Sequence, residues 1–374
     1  MSTLTVANPR LRALTDAGVS VWLDQISRTL VNGGELARLV HESSLRGVTS
    51  NPSIFEKAIL GSTEYNEEIA AMAREQFDAK AIYDALAIAD VKHAADTLAV
   101  VHTESDGRDG FVSLEVPPDL ARDTSGTLQA ARRYWTAVGR PNAMIKIPGT
   151  AEGVGAIEQA IYEGINVNVT LLFAVSAYAQ IAEAYLRGLE RRYAEGLPLT
   201  VNSVASFFVS RVDSNVDKKL ATLGAAELSG SAALANARAA YSRFKEIFSG
   251  PRWEALAAAG AAVQRPLWAS TGTKNPGYSD IMYVEHLIAP HTVNTMPLAT
   301  LNAFADHGKV SGATAEHDHV ADLEALAQAG IDMDVVTDEL LVDGIKQFAD
   351  AMASLLDGIG QRREAVIAAK PSEV

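Results

Sequence analysis

Residues 165–173 read INVNVTLLF, and residues 174–196 continue with AVSAYAQIAEAYLRGLERRYAEG. The first stretch alternates: Asn166, Asn168 and Thr170 share one face, while Ile165, Val167, Val169 and Leu171 share the other. That is the period of a β-strand. The second stretch changes period. Tyr178, Ile181, Ala182, Tyr185 and Leu189 fall on one side of a helix, and Glu183, Arg187 and Glu190 on another. A strand running straight into an amphipathic helix is one β/α unit. If the helix covers the apolar face of its strand, the polar face looks into an interior.

The unit recurs along the chain. Strand-like runs occur at VSVWLD (19–24), GVTSN (47–51), FVSLEV (111–116), AMIKIP (143–148), LTVNSVASFF (199–208), RPLWAST (265–271) and HTVNTMP (291–297), with helical segments between them. Strands alternating with helices imply parallel pairing through crossovers, and eight of them fit a closed (β/α)8 TIM barrel with additional helices. A doubly wound sheet uses the same alternation and is the competing architecture. Two intervals exceed a single crossover helix. Residues 52–110 are expected to hold two or three helices, and 212–264 a long amphipathic helix plus an Ala-rich insertion. Residues from about 298 to 370 read as helical and are expected to pack across the barrel, with the final AAKPSEV as a frayed tail. No Pro/Gly/Ser-rich linker divides residues 1–374, so a single domain is expected.

Composition narrows the function. A formal net charge of −14 argues against a nucleic-acid partner, which calls for a basic footprint. The absence of cysteine excludes disulfides, thiolate catalysis and cysteine-ligated metals. No apolar run reaches membrane-spanning length, and MSTLTVANPRLRALTDAG lacks a signal-peptide core. A cytoplasmic location is the expectation, with monomer and homodimer both open.

Parity sorts the remaining strands in the same way. Trp22 pairs with Asp24, Thr49 with Asn51, Ser113 with Glu115 and Met144 with Lys146; Asn202, Val204, Ser206 and Phe208 form another set. One buried polar residue is usually a satisfied structural group. Here Asp24, Asn51, Glu115, Lys146, Asn168, Thr170 and Ser206 converge from six strands, near the ends where barrels keep their chemistry. The lysine is the telling member. On an edge strand it would hold its head in water, but a barrel has no edges. In a water-poor pocket a lysine can attack a ketone as a neutral amine and form a Schiff base, an electron sink for breaking the adjacent carbon–carbon bond. Asp24 and Glu115 are the available acid/base groups, and Thr170 could hold a water. No metal or cofactor is required. His317 and His319 are better read as a solvated helix start than as a chelate. GTKNP (272–276) lacks P-loop spacing, and GTAEGVGAIEQ (149–159) reads as a tight turn and helix start.

GVTSNPSIF (47–55), MIKIPGTAEG (144–153), GINVNVTLLF (164–173), SVASFFVSR (203–211) and VWLD (21–24) together resemble the transaldolase family, in the family's order, from residue 19 to about 297. Length and insertions look most like its longer bacterial subgroup. The resemblance implies a class I aldolase-type barrel. It would transfer a dihydroxyacetone unit between sugar phosphates in the non-oxidative pentose phosphate pathway, with no cofactor and no metal. Lys146 matches the Schiff-base nucleophile and Asp24 the acid/base at the cleaved bond. Glu115 and Thr170 match the pair that handles the catalytic water. Asn51, Asn168 and Ser206, with the neighbouring Thr49 and Phe208, match the residues around the dihydroxyacetone unit. Arg211 matches a phosphate-binding arginine. Where much of the family has a second such arginine, this chain has STGTKNP (270–276), so Ser270 and Lys274 are the expected substitutes. Phe208 stands where the shorter fructose-6-phosphate aldolases carry tyrosine, which favours transfer over release of free dihydroxyacetone.

Overall fold

The computed structural model describes residues 7–368, so residues 369–374 of the expected tail lie outside the described residues. Eight strands form: β1 (Val19–Leu23), β2 (Gly47–Val48), β3 (Phe111–Glu115), β4 (Ala143–Pro148), β5 (Val167–Leu172), β6 (Ser203–Phe208), β7 (Arg265–Ala269) and β8 (Thr292–Met296). They pair in sequence order, all parallel, and β8 returns to β1 to close the barrel. The doubly wound alternative is thereby excluded.

Most strands are shorter than the runs that announce them. β2 is the extreme case, because Pro52 opens the next helix and Asn51 caps it, its Oδ1 accepting from the Ile54 N–H at 2.9 Å. Asp24, Thr49 and Asn51 therefore sit just past their strands, in loops at the C-terminal rim. Gly47 is required by its neighbour in register: a Cβ there would lie 2.4 Å from the Trp22 ring. Trp22 can then fill the interior, where its indole N–H donates to Asp109 Oδ1 at 2.9 Å. Ser20, Arg46 and Arg265 surround the same buried carboxylate and close the N-terminal end of the barrel.

The parity of β5 needs one correction. Its register to β6 slips by a residue between Val169 and Leu172, and Leu171 adopts φ +59°. Such a bulge ends strict alternation. Leu172 keeps company with Val169 beside Gly149, whereas Leu171 turns towards Gly344 at the mouth of the barrel instead of outward as alternation implies.

The first long interval holds three helices, Pro52–Leu60, Asn66–Arg74 and Ala79–Glu104. The second holds Ser210–Leu223, Ala232–Ile247 and Gly250–Ala258; the Ala-rich piece is itself helical, and buried Ala233, Ala237 and Ala240 let it lie close to the barrel. The C-terminal part ends in a helix of 36 residues, Met333–Ala368, which packs on the helices of the first interval, on Ser210–Leu223 and on β5. It crosses the C-terminal mouth. His319 occupies the N-cap position of Val320–Gln328, as a helix start should. Among the described residues no helix is long and apolar enough to cross a membrane.

Candidate active site

Lys146 lies in β4, in register with Glu115 on β3 and Asn168 on β5. It is 4% exposed. Its Nζ donates to the Ser50 carbonyl at 3.0 Å and stands 3.0 Å from Glu115 Oε2. Glu115 Oε1 has no hydrogen-bond partner among the described residues, and neither has Thr170 Oγ1. Burial pushes the Glu115 carboxyl above the usual range, against the nearby Lys146 charge that holds it down. Two orphaned oxygens beside a buried amine make a natural seat for a water or a substrate hydroxyl.

Across the barrel, Asp24 Oδ1 accepts from the Thr49 hydroxyl at 2.6 Å, and Thr49 Oγ1 is 2.7 Å from Thr295 Oγ1. Burial raises the Asp24 pKa above its ordinary value; Lys146, Thr49, Arg211 and Lys274 oppose that shift, in that order of weight. Arg211 enters from the first turn of Ser210–Leu223. Its guanidinium carbon lies 5.2 Å from the Phe208 ring centroid and 5.8 Å from that of Phe348. It forms no ion pair with a carboxylate among the described residues, and Nη1 lacks any hydrogen-bond partner there. A half-buried guanidinium with no carboxylate in direct contact is a ready site for an anionic ligand. Ser270, in a left-handed backbone conformation (φ +58°), meets Ser210 hydroxyl to hydroxyl at 2.9 Å beside it.

These groups line one small cavity of about 60 Å³: Asp24, Thr49, Asn51, Lys146, Thr170, Ser206, Phe208, Arg211, Ser270 and Thr295. Asp24 also borders an adjoining cavity of about 470 Å³ between the β1 loop and the helix Pro52–Leu60. A much roomier cavity, about 770 Å³, is at the opposite, N-terminal end, away from these groups. Size does not locate the chemistry here; convergent polar groups do.

Three expected residues fall outside the cavity wall: Glu115, which stands behind Lys146, Asn168 and Lys274. Asn168 is fully buried one layer deeper, its amide spent between Ser113 Oγ (2.9 Å) and the Ser206 hydroxyl (2.7 Å). It orients Ser206 instead of facing the cavity. Lys274 is exposed on the loop after β7, where its charge still reaches Asp24. Conversely, sequence reasoning overlooked Thr295, Ser50 and Phe348. Parity in HTVNTMP sets Thr295 with His291 and Val293 against Thr292 and Asn294 and so leaves its face undecided. Ser50 lies within the quoted GVTSN, but its part is played by a carbonyl that no side-chain pattern reveals.

A family model described as transaldolase/fructose-6-phosphate aldolase matches residues 21–359. The chain is 50% identical over 359 residues to a protein named transaldolase from Parafrankia sp., covering 94% of this chain and 97% of that one. It is 48% identical over 359 residues to one of the same name from Thermobifida fusca (94% and 98% covered). With a protein named transaldolase 2 from Nostoc sp. the identity is 46% over 366 residues (93% and 96% covered).

Proposed function

The chain belongs to the transaldolase/fructose-6-phosphate aldolase family, and from that premise we propose that its reaction runs through a Schiff base on Lys146. The activity is that of a transaldolase: a dihydroxyacetone unit passes from sedoheptulose 7-phosphate or fructose 6-phosphate to glyceraldehyde 3-phosphate or erythrose 4-phosphate, within the pentose phosphate pathway in the cytoplasm.

The observation that carries this reading is the buried Lys146 amine, flanked by Glu115 and facing Asp24, Thr170 and Arg211 across one cavity. The phosphate of the ketose pairs with Arg211, with Ser270 and the first N–H groups of Ser210–Leu223 beside it. Proton transfer from Lys146 to Glu115 leaves two neutral groups in a dry site and a nucleophile on the amine. The amine adds to the ketone carbon; Glu115 then protonates the departing hydroxyl, and the water formed is held by Thr170. The Asp24 carboxylate takes the proton of the substrate hydroxyl, the carbon–carbon bond breaks, and its electrons move to the iminium nitrogen, leaving an enamine. The aldose departs. A second aldose reverses these steps, receiving its hydroxyl proton from Asp24. Asn51, Ser206 and Thr49 surround the three-carbon unit, Asn168 acts through Ser206, and Phe208 adds an apolar wall without a hydroxyl to hold water. The acting unit is taken to be the single domain of residues 1–374.

Reduction with borohydride in the presence of fructose 6-phosphate tests the reading: a three-carbon adduct is expected on the peptide carrying Lys146. No adduct, or one on another lysine, overturns it. The role of Lys274 has its own test. As a point charge near the phosphate it should contribute to binding, so Lys274→Ala is expected to raise KM for phosphorylated substrates roughly 5- to 20-fold with kcat nearly unchanged. Unaltered constants would leave Arg211 and Ser270 as the phosphate site.

A further inference from the structure

The C-terminal helix Met333–Ala368 buries a stripe at helical spacing, including Leu340, Gly344, Phe348 and Met352. That stripe faces the mouth of the barrel. Phe348 is 2% exposed, and its ring centroid lies 5.6 Å from Lys146 Nζ. With Phe208 it brackets the Arg211 guanidinium. One turn earlier stands Gly344, a poor helix former in mid-helix. A Cβ at that position would lie 2.9 Å from Leu171 Cδ2 and 3.6 Å from Arg211 Nη1. The glycine thus brings the helix down onto the site, and the bulge in β5 raises Leu171 to meet it.

We propose that Phe348 is a positioning residue that roofs the Lys146 adduct, excludes water from it, and thereby makes transfer prevail over release of free dihydroxyacetone. The proposal rests on the Schiff-base reading. In that reading the enamine has two fates. Its nucleophilic carbon can attack an aldehyde, forming the new carbon–carbon bond while the aldehyde oxygen takes a proton from Asp24. Alternatively, that carbon takes a proton from water, hydroxide adds to the iminium carbon, and the carbon–nitrogen bond breaks. The second route consumes one water, restores the Lys146 amine and frees dihydroxyacetone. Its rate depends on water reaching the adduct. The cavity around Lys146 is only about 60 Å³ and has Phe208 in its wall, so a three-carbon unit bound there would leave little space for solvent. Phe348 stands on the Lys146 side, its ring centroid 5.6 Å from Nζ.

The experiment compares two rates on the same sample of the full-length enzyme: transfer from fructose 6-phosphate to glyceraldehyde 3-phosphate, and release of dihydroxyacetone without acceptor. Their ratio is independent of how much protein is folded. Phe348→Ala is expected to raise release relative to transfer by about tenfold or more. Phe348→Leu, which keeps an apolar cover, should stay within roughly threefold of the parent. Gly344→Leu keeps the phenyl ring but lifts the helix, and Phe348 with it, away from the site, so it should behave like Phe348→Ala; it carries the test if Phe348→Ala does not fold. An unchanged ratio in the folded variants overturns the roof, with borohydride trapping on Lys146 in the parent showing that the Schiff base itself stands. Loss of trapping in the parent overturns both.

Discussion

Lys146→Met is expected to lower kcat by at least about 10⁴-fold and to abolish borohydride trapping while leaving a folded barrel. The chemical argument is direct: a thioether cannot form an iminium, and no other lysine among the described residues lines the cavity. The structural argument concerns what is left behind. Glu115 is 3% exposed and pairs with Lys146 at 3.0 Å, so the substitution removes its nearest cation. Breaking a buried pair costs about 3–5 kcal/mol when the remaining charge cannot escape. Glu115 has an escape, since burial already favours its protonated form and the Lys146 charge is what opposes it. The folded variant should therefore keep a proton on Glu115 that the unfolded chain gives up. A carboxyl with a raised folded pKa contributes stability that is complete at low pH and declines as pH rises through that pKa. The melting temperature of Lys146→Met relative to the parent should thus fall as pH rises above the ordinary glutamate range, and Lys146→Met/Glu115→Gln should remove that dependence. Turnover above about one hundredth of the parent would exclude the Schiff-base route.

The barrel was legible because alternation within strands and helical period between them are local signals, and eight repeats leave few topologies. The cluster was legible for the same reason: parity alone brings Asp24, Thr170, Lys146 and Ser206 to one cavity. Alternation fails where the backbone departs from ideal pleat, and the bulge at Leu171 is such a place. Parity also gives a face but no depth. Asn168 and Lys146 share an interior and a register, yet one is spent on neighbouring hydroxyls while the other meets the cavity. Long-range contributions were illegible. Nothing in the helical pattern of Met333–Ala368 says which barrel residue lies beneath Phe348, because that depends on how loops deliver the helix to the mouth. Lys274 shows the converse: a suitable residue in a suitable loop whose side chain stays in solvent.

Asp24→Asn separates bond cleavage from Schiff-base formation. Asp24 is the base in the proposed cleavage, a role whose removal costs about 10²- to 10⁴-fold in kcat. Lys146, Glu115 and Thr170 remain to form the imine. Borohydride should therefore fix the whole six-carbon sugar phosphate on Lys146, where the parent yields the three-carbon adduct. The same substitution should stabilise the protein at neutral pH. Burial raises the folded pKa of Asp24 above its ordinary value, despite Lys146, Thr49, Arg211 and Lys274. In the unfolded chain the carboxyl ionises at that ordinary value, so at neutral pH the raised folded pKa counts against folding. The cost fades as pH falls through the folded pKa and is absent below the unfolded one. Asparagine removes the charge and can still accept the Thr49 hydroxyl that now donates to Oδ1 at 2.6 Å. Higher melting temperature, lost turnover and retained sugar on Lys146 would belong together, since the feature that destabilises the fold is the one that takes the proton. A three-carbon adduct at the parental yield would remove Asp24 from the cleavage step.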